Sequence, residues 1–331
     1  AIVKLSALGD IVHAMVVLQF IKKQLPDVTI DWVVEKGFKD ILINHPDIDQ
    51  IHTVNLKKIK QKKSLRLLFS EFRKIHQFGK YDLVIDMQNL VKSAIVARLI
   101  PSKKTIGLDW ASSREGFAAK FYTHAYTVKH STNVIQRNAA IVAKALNMTI
   151  SHDNILQKQP FLYANSQPLF GTISNTKPNI ALVVGASFQS KIYPAEQYAQ
   201  IVEQMNANFI VLWGNDSEKD MAKKIQKESP EVCIENKLTL DELKVFISQM
   251  DLVIGGDTGP THMAWALNIP SVTLFGPTPG YRNTFATAIN KVLESDSKVD
   301  PYKIDKNDFS IKTIKVGDIV KISEELLKEN R

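Results

Sequence analysis

Residues 251–280 read DLVIGGDTGPTHMAWALNIPSVTLFGPTPG, and their reading decides the fold. An apolar strand, Leu252 to Ile254, runs into a turn of glycine, aspartate and threonine. A helical pattern follows from Thr261 to Leu267. A second apolar strand, Ser271 to Leu274, ends in another glycine-proline turn at residues 275–280. Two strands that each empty into such a turn form a βαβ unit with both carboxyl ends open. Glycine there lets a ligand approach backbone N–H groups, and the amino end of a helix favours an anion. Asp257, Thr258 and His262 add side-chain donors and acceptors at the same rim. A helix cap and two ordinary turns would use the same residue types. Their concentration at the ligand-binding end of a parallel unit points instead to a phosphate-bearing ligand.

The same grammar extends outward. The second half opens with a strand, Asn179 to Val184, and the turn GASFQSK at 185–191, which puts Lys191 before a helix whose start Pro194 marks. A strand from Phe209 to Trp213 empties into GNDSE at 214–218, and Ile319 to Leu327 reads as a terminal amphipathic helix. In the first half, a strand at Ile2 to Leu5 turns at Ser6 to Asp10 into a helix carrying Ile11, Met15, Leu18 and Ile21. Further strands are expected at Val28 to Val34 and Tyr81 to Ile85, and helices through Arg98 and from Asn133 to Leu146. Strands alternating with helices throughout predict an α/β protein of two Rossmann-like, doubly wound parallel sheets. Their open strand ends can face one cleft. The expected domains are 1–160 and 178–331, joined by a polar linker at 161–177 where periodicity fails.

Composition narrows the class. The chain has 331 residues, 44% apolar and 23% charged, which fits a globular protein of two domains. One cysteine, Cys233, excludes an internal disulfide framework and a cysteine-based zinc site. No apolar run approaches the ~18 residues of a membrane span and no leader precedes the first strand, so a cytoplasmic location is expected. The net charge of +8 is unevenly placed. Residues 1–160 hold 24 Lys+Arg against 13 Asp+Glu, a balance of +11, and residues 161–331 hold 18 against 21, a balance of −3. The first half is therefore expected to meet something anionic, whether nucleic acid, a phosphorylated substrate or a membrane surface.

Each half has one rim suited to chemistry. The second offers its glycine turns with Lys191, Glu218, Asp257 and His262, a set suited to a nucleotide diphosphate. Neither half opens with GxGxxG and no GxxxxGK[ST] occurs, so a dinucleotide or P-loop ATPase site is not supported. The first half offers Asp10 and, one helical turn on, His13. A lone carboxylate there is either a helix cap or the general base that deprotonates a hydroxyl nucleophile. The run NLKKIKQKK at 55–63 is dense enough in lysine for anion capture. The loop 107–116 mixes aromatic, basic and hydroxyl groups without an apolar period and reads as functional.

Taken together, KLSALGDIVH at 4–13, DMQNLVKS at 86–93, GLDW at 107–110 with Arg114 and Glu115, GDTGPTH at 256–262 and FGPT at 275–278 resemble the ADP-heptose:lipopolysaccharide heptosyltransferases. The resemblance spans residues 2 to about 285 in order. It implies the GT-B architecture, with the donor on the second domain and the acceptor on the first. It implies inverting transfer of L-glycero-D-manno-heptose from ADP-heptose to a Kdo sugar of Kdo-lipid A. Asp10 falls where the family's general base lies, with His13 in support. Ser187, Lys191, Glu218, Asp257, Thr258, Gly259 and His262 fall on donor-binding positions, Ser187 and Glu218 less closely because their loops differ. Lys57, Lys58, Lys60 and Arg114 fall on acceptor-binding positions. No cofactor or essential metal is expected, nor nucleic acid as a partner. The basic first half would instead approach the anionic cytoplasmic face of the inner membrane. Other GT-B sugar-nucleotide enzymes and a two-lobed α/β binding protein are the competing readings.

Overall fold

A computed structural model describes residues 1–301 and 304–329. The chain divides into two compact units, Ala1–Tyr163 and Ala164–Arg331. The first unit holds strands β1 (Ile2–Val3), β2 (Asp31–Glu35), β3 (Gln50–Val54), β4 (Tyr81–Asp86), β5 (Ser102–Leu108) and β6 (His124–Tyr126). The second holds β7 (Asn179–Val183), β8 (Asn208–Leu212), β9 (Cys233–Ile234), β10 (Leu252–Gly256), β11 (Ser271–Phe275) and β12 (Asn290–Glu294). The orders are β3-β2-β1-β4-β5-β6 and β12-β11-β10-β7-β8-β9. Every pairing is parallel. The second order is the first read backwards, so the two units share one topology. In each, the winding reverses between its first and fourth strands, β1 beside β4 and β7 beside β10. Open α/β sheets take their ligands at such a reversal, beyond the carboxyl ends of the strands.

Burial explains which strands sit centrally. β7, β10 and β11 are buried at every position, as expected of parallel strands covered on both faces. The register pairs Ile254 with Leu182 and with Val272. Ile180, Leu182, Val211, Ile254 and Val272 form one core with Tyr198 and with Ile319 and Leu326 of the terminal helix Val316–Glu329. In the first unit, Val3, Leu5, Val33, Val84 and Val96 form the corresponding core. The strands that sequence reading did not find are outer ones. β3 buries only Val54 of its five residues, and β6 buries none. Their polar residues break the apolar run that marks a central strand.

The helix expected through Ile11, Met15, Leu18 and Ile21 is two, Leu8–Met15 and Val17–Gln24. Val16 between them keeps helical dihedrals, φ −55° and ψ −27°, so the path continues. The basic run at 55–63 folds as the helix Leu56–Lys62, capped by Asn55, and Ser64 caps the next helix, Leu65–His76. No helix among the described residues is long and apolar enough to cross a membrane.

Candidate functional site

In the second unit, three strand ends converge on one carboxylate. β10 delivers Asp257, and the helix Gly259–Leu267 starts two residues later with Pro260 in its first turn. Lys191, from the turn after β7, places Nζ 2.5 Å from Asp257 Oδ2. His262 Nε2 lies 3.0 Å from Oδ1. Thr278, from the turn after β11, donates its hydroxyl to Oδ2 at 3.2 Å. Lys191, His262 and Thr278 are all buried. Close packing of the strands at the reversal depends on Gly255, where an added Cβ would lie 2.6 Å from Cβ of Val183.

Burial alone would disfavour the ionised form of Asp257. The His262 hydrogen bond and the Lys191 charge outweigh it and hold the carboxyl well below the usual carboxylate range. The carboxylate thus stays charged and fixes both partners. An ammonium has three donors and Asp257 takes one, so Lys191 can still present hydrogens to an anion at the amino end of the helix Gly259–Leu267, where the helix dipole favours it.

Glu218 and Ser187 lie at the neighbouring strand ends. Ser187 is exposed on the turn after β7. Glu218 Oε2 accepts from the Gly214 amide at 2.6 Å and Oε1 from Asn215 Nδ2 at 2.6 Å. The Glu218 amide in turn donates to Asn215 Oδ1, closing the cap of the helix Asp216–Glu228. An added Cβ at Gly185 would lie 2.3 Å from Glu218 Oε1. The Glu218 carboxylate therefore rests against the turn that leads to Ser187 and Lys191.

In the first unit, Asp10 sits in the opening turn of the helix Leu8–Met15, and its Oδ2 accepts from the Ala7 amide at 3.2 Å. His13 is 2% exposed and belongs to the buried side of that helix. The turn before Asp10 is tied to the end of β4, because Gln88 Oε1 accepts from the Leu5 and Ser6 amides at 2.9 and 3.1 Å. Lys57, Lys58 and Lys60 are exposed. Arg114 is exposed too, 3.9 Å from Glu115, whose other oxygen accepts from the Val91 amide at 2.8 Å. The loop bearing Arg114 is thereby anchored to the start of the helix Val91–Leu99.

Three further side chains went unassigned from sequence. Thr278 lies within the quoted FGPT turn, but its bond to Asp257 depends on β11 lying beside β10. Lys4 is a charge inside an apolar strand, which was its signal; it is fully buried, and Nζ donates to the Met87 carbonyl at 3.1 Å. Burial lowers its pKa, while the charges of Asp10 and Asp86 oppose that shift. Asp86 is also buried, and Tyr122 and Ser93 hydroxyls donate to its Oδ2 at 2.8 Å each. Burial raises its pKa against those bonds.

Gly107 makes room for the same Tyr122. An added Cβ there would lie 2.0 Å from the ring. Gly107→Ala is expected to displace Tyr122 and cost about 1–3 kcal/mol, lowering the thermal midpoint by several degrees in a calorimetric scan. An unchanged midpoint would mean the ring moves freely. Among the described residues, no group of three or more His, Cys, Asp or Glu could hold a metal ion.

Comparison with known proteins bears on this geometry. The model of glycosyltransferase family 9 (heptosyltransferase) matches residues 71–299. The chain belongs to that family. It is a glycosyltransferase of the heptosyltransferase group, and its paired parallel sheets are those of the GT-B fold. It is 40% identical to lipopolysaccharide heptosyltransferase 1 of Campylobacter coli, over 98% of both chains. It is 28% identical to the lipopolysaccharide heptosyltransferase 1 of Pseudomonas aeruginosa, over 86% of this chain and 80% of the relative. Among solved structures, an E. coli heptosyltransferase with ADP matches with a TM-score of 0.80 at 22% identity, over 98% of both chains. A family 9 glycosyltransferase from Veillonella parvula matches with a TM-score of 0.80 at 19% identity, over 99% of this chain and 96% of that one.

Proposed function

We propose that this family 9 enzyme moves L-glycero-D-manno-heptose from ADP-heptose to a Kdo residue of Kdo-lipid A, with inversion at the anomeric carbon. The observation that carries the reading is the buried Asp257 cage, with Lys191, His262 and Thr278 converging at a helix amino end. The second unit, from about residue 178, holds the donor. Lys191 and the helix Gly259–Leu267 take its phosphates, Thr258, Gly259 and His262 line its sugar, and Glu218 with Ser187 takes hydroxyls of the nucleoside. The first unit, to about residue 160, takes the acceptor. Asp10 accepts the hydroxyl proton as the new bond forms, Lys4 and His13 support it from the buried side, and Lys57, Lys58, Lys60 and Arg114 meet acceptor carboxylates and phosphates. No bound metal or other cofactor takes part, and the acceptor is reached from the cytoplasmic face of the inner membrane.

Incubating the enzyme with ADP-heptose and purified Kdo-lipid A tests the reading, with the product's anomeric configuration read by NMR. Transfer to an already heptosylated core, and none to Kdo-lipid A, would reassign it to a later heptose addition. A further expectation concerns charge. Exposed charges are screened beyond about 8 Å at physiological ionic strength, and Lys57, Lys58 and Lys60 are exposed while Lys191 is not. Raising salt should therefore raise the acceptor KM far more than the donor KM. Replacing the three lysines together by Ala should do the same, by about tenfold in acceptor KM at roughly 0.5 kcal/mol per exposed contact. Equal effects on both substrates would refute the division between the units.

A further inference from the structure

The helix Leu65–His76 carries apolar side chains in two directions. Ile75 is buried in the core of the first unit with Val54, Val84 and Val96, and Leu67, Leu68 and Phe72 are half-buried. Leu65 and Phe69 are 70% and 68% exposed. At i and i+4 they stand one above the other on the outer face. Arg66 follows Leu65, and Arg73 lies one turn beyond Phe69; both are exposed. An exposed Leu needs no explanation by itself, but two large apolar side chains stacked on one helix face and flanked by arginines form a patterned surface.

Its surroundings are strongly cationic. Residues 55–78 contain eight Lys or Arg against a single acid, Glu71. Glu71 is turned onto its own fold, accepting from the Asn55 amide at 3.1 Å and from Lys74 Nζ at 3.5 Å. Among the described residues, Lys74 is the one of the eight in an ion pair. The preceding helix, Leu56–Lys62, buries no residue and exposes its lysines beside this face. A protein interface concentrates apolar area and is depleted of charge at its centre. Two apolar side chains ringed by uncompensated cations suit a soft anionic surface better.

We propose that this face docks the enzyme on an anionic lipid bilayer, with Leu65 and Phe69 entering the headgroup layer and the exposed Arg66, Arg73, Lys62 and Lys63 meeting lipid phosphates. The inference rests on the reading above that the acceptor is a membrane lipid, and it adds a surface with no part in the sugar chemistry. A bilayer attracts juxtaposed Lys and Arg within about a Debye length, near 8 Å at physiological salt. The apolar pair then gives the enzyme a hold that salt does not fully screen.

Full-length protein would be co-sedimented with vesicles of phosphatidylcholine containing phosphatidylglycerol, and with phosphatidylcholine alone, in both cases without acceptor. Binding to the anionic vesicles is expected to be at least about tenfold tighter. Leu65→Gln with Phe69→Gln keeps helix-forming residues and is expected to lower that binding by about tenfold. Its kcat and KM on a water-soluble, deacylated acceptor should stay at wild-type values. Arg66→Glu with Arg73→Glu, a second variant on exposed positions, should lose binding to the anionic vesicles as well. Wild-type binding indifferent to lipid charge, or glutamine and glutamate variants that sediment like wild type, would overturn the proposal. So would a wild-type dimer that the glutamine pair converts to a monomer with vesicle binding unchanged, since the face would then join two copies. Loss of turnover on every acceptor with vesicle binding intact would count against the acceptor reading and leave the docking surface standing.

Discussion

Asp10→Asn is expected to lower kcat by about 10²–10⁴-fold, the contribution of a positioned general base, while calorimetry finds ADP-heptose bound as in wild type. A sugar hydroxyl is a poor nucleophile until its proton is accepted, and Asp10 is the half-exposed carboxylate at the strand-to-helix turn of the first unit. Its present hydrogen bond, from the Ala7 amide at 3.2 Å, is that of an ordinary helix cap. Asn keeps an oxygen acceptor for that amide, so a residue that only caps would leave activity near normal. Lys4 keeps the Met87 carbonyl and the neighbouring Asp86 charge after the change, so the fold should persist with a thermal midpoint within a few degrees of wild type. The loss should fall on kcat and kcat/KM together, as for an interaction made only in the transition state. His13 is a weaker candidate for the base because it is 2% exposed; His13→Asn should act mainly through the placement of Asp10. A variant Asp10→Asn with more than about a tenth of wild-type kcat, well short of a base's usual share, would reduce Asp10 to a cap.

Fold and site were unequally legible in the sequence, for physical reasons. β7, β10 and β11 are buried on both faces, so their apolar runs are continuous and need no partner to be read. β3, β5, β6, β9 and β12 lie toward the sheet edges, where a strand needs fewer apolar residues, and all five escaped notice. Glycine turns mark strand ends because only glycine permits the approach seen between Gly255 and Val183. Sequence could thus place Lys191, Asp257 and His262 at one rim. It could not show that Asp257 is the hub, because the bonds to Lys191 and Thr278 span 66 and 21 residues and arise only when three strands are laid side by side. Lys4 and Asp86 were quoted within motifs, yet their shared burial follows from β1 pairing with β4. Leu65 and Phe69 fit the apolar period of a helix that buries them; their exposure is a tertiary fact.

The hub also separates binding from stability. Lys191→Met removes a cation that the proposal aims at the donor phosphates. A hydrogen bond to a charged group contributes about 1.5–3 kcal/mol, so ADP-heptose should bind roughly 10- to 150-fold more weakly at about 1.4 kcal/mol per tenfold. The acceptor KM should hardly change. Asp257 would keep His262 and Thr278 in this variant, so the loss of stability should be moderate. Asp257→Asn removes the counter-charge of a buried ammonium, a change that costs on the order of 3–5 kcal/mol and lowers the midpoint by about ten degrees in a unit of this size. Acid titration adds a check of sign. The folded pKa of Asp257 is depressed, so its stabilisation is fully present above the unfolded value of about 3.9 and is lost as pH falls through the folded value. Between about pH 5 and 8 this carboxylate contributes no slope in wild type. In Lys191→Met one of the charges that depress it is gone, its pKa rises toward the ordinary value, and acid unfolding should begin at higher pH than in wild type. A Lys191→Met enzyme that binds ADP-heptose normally but unfolds early in acid would make Lys191 a structural partner of Asp257, and would move the donor phosphates away from this cage.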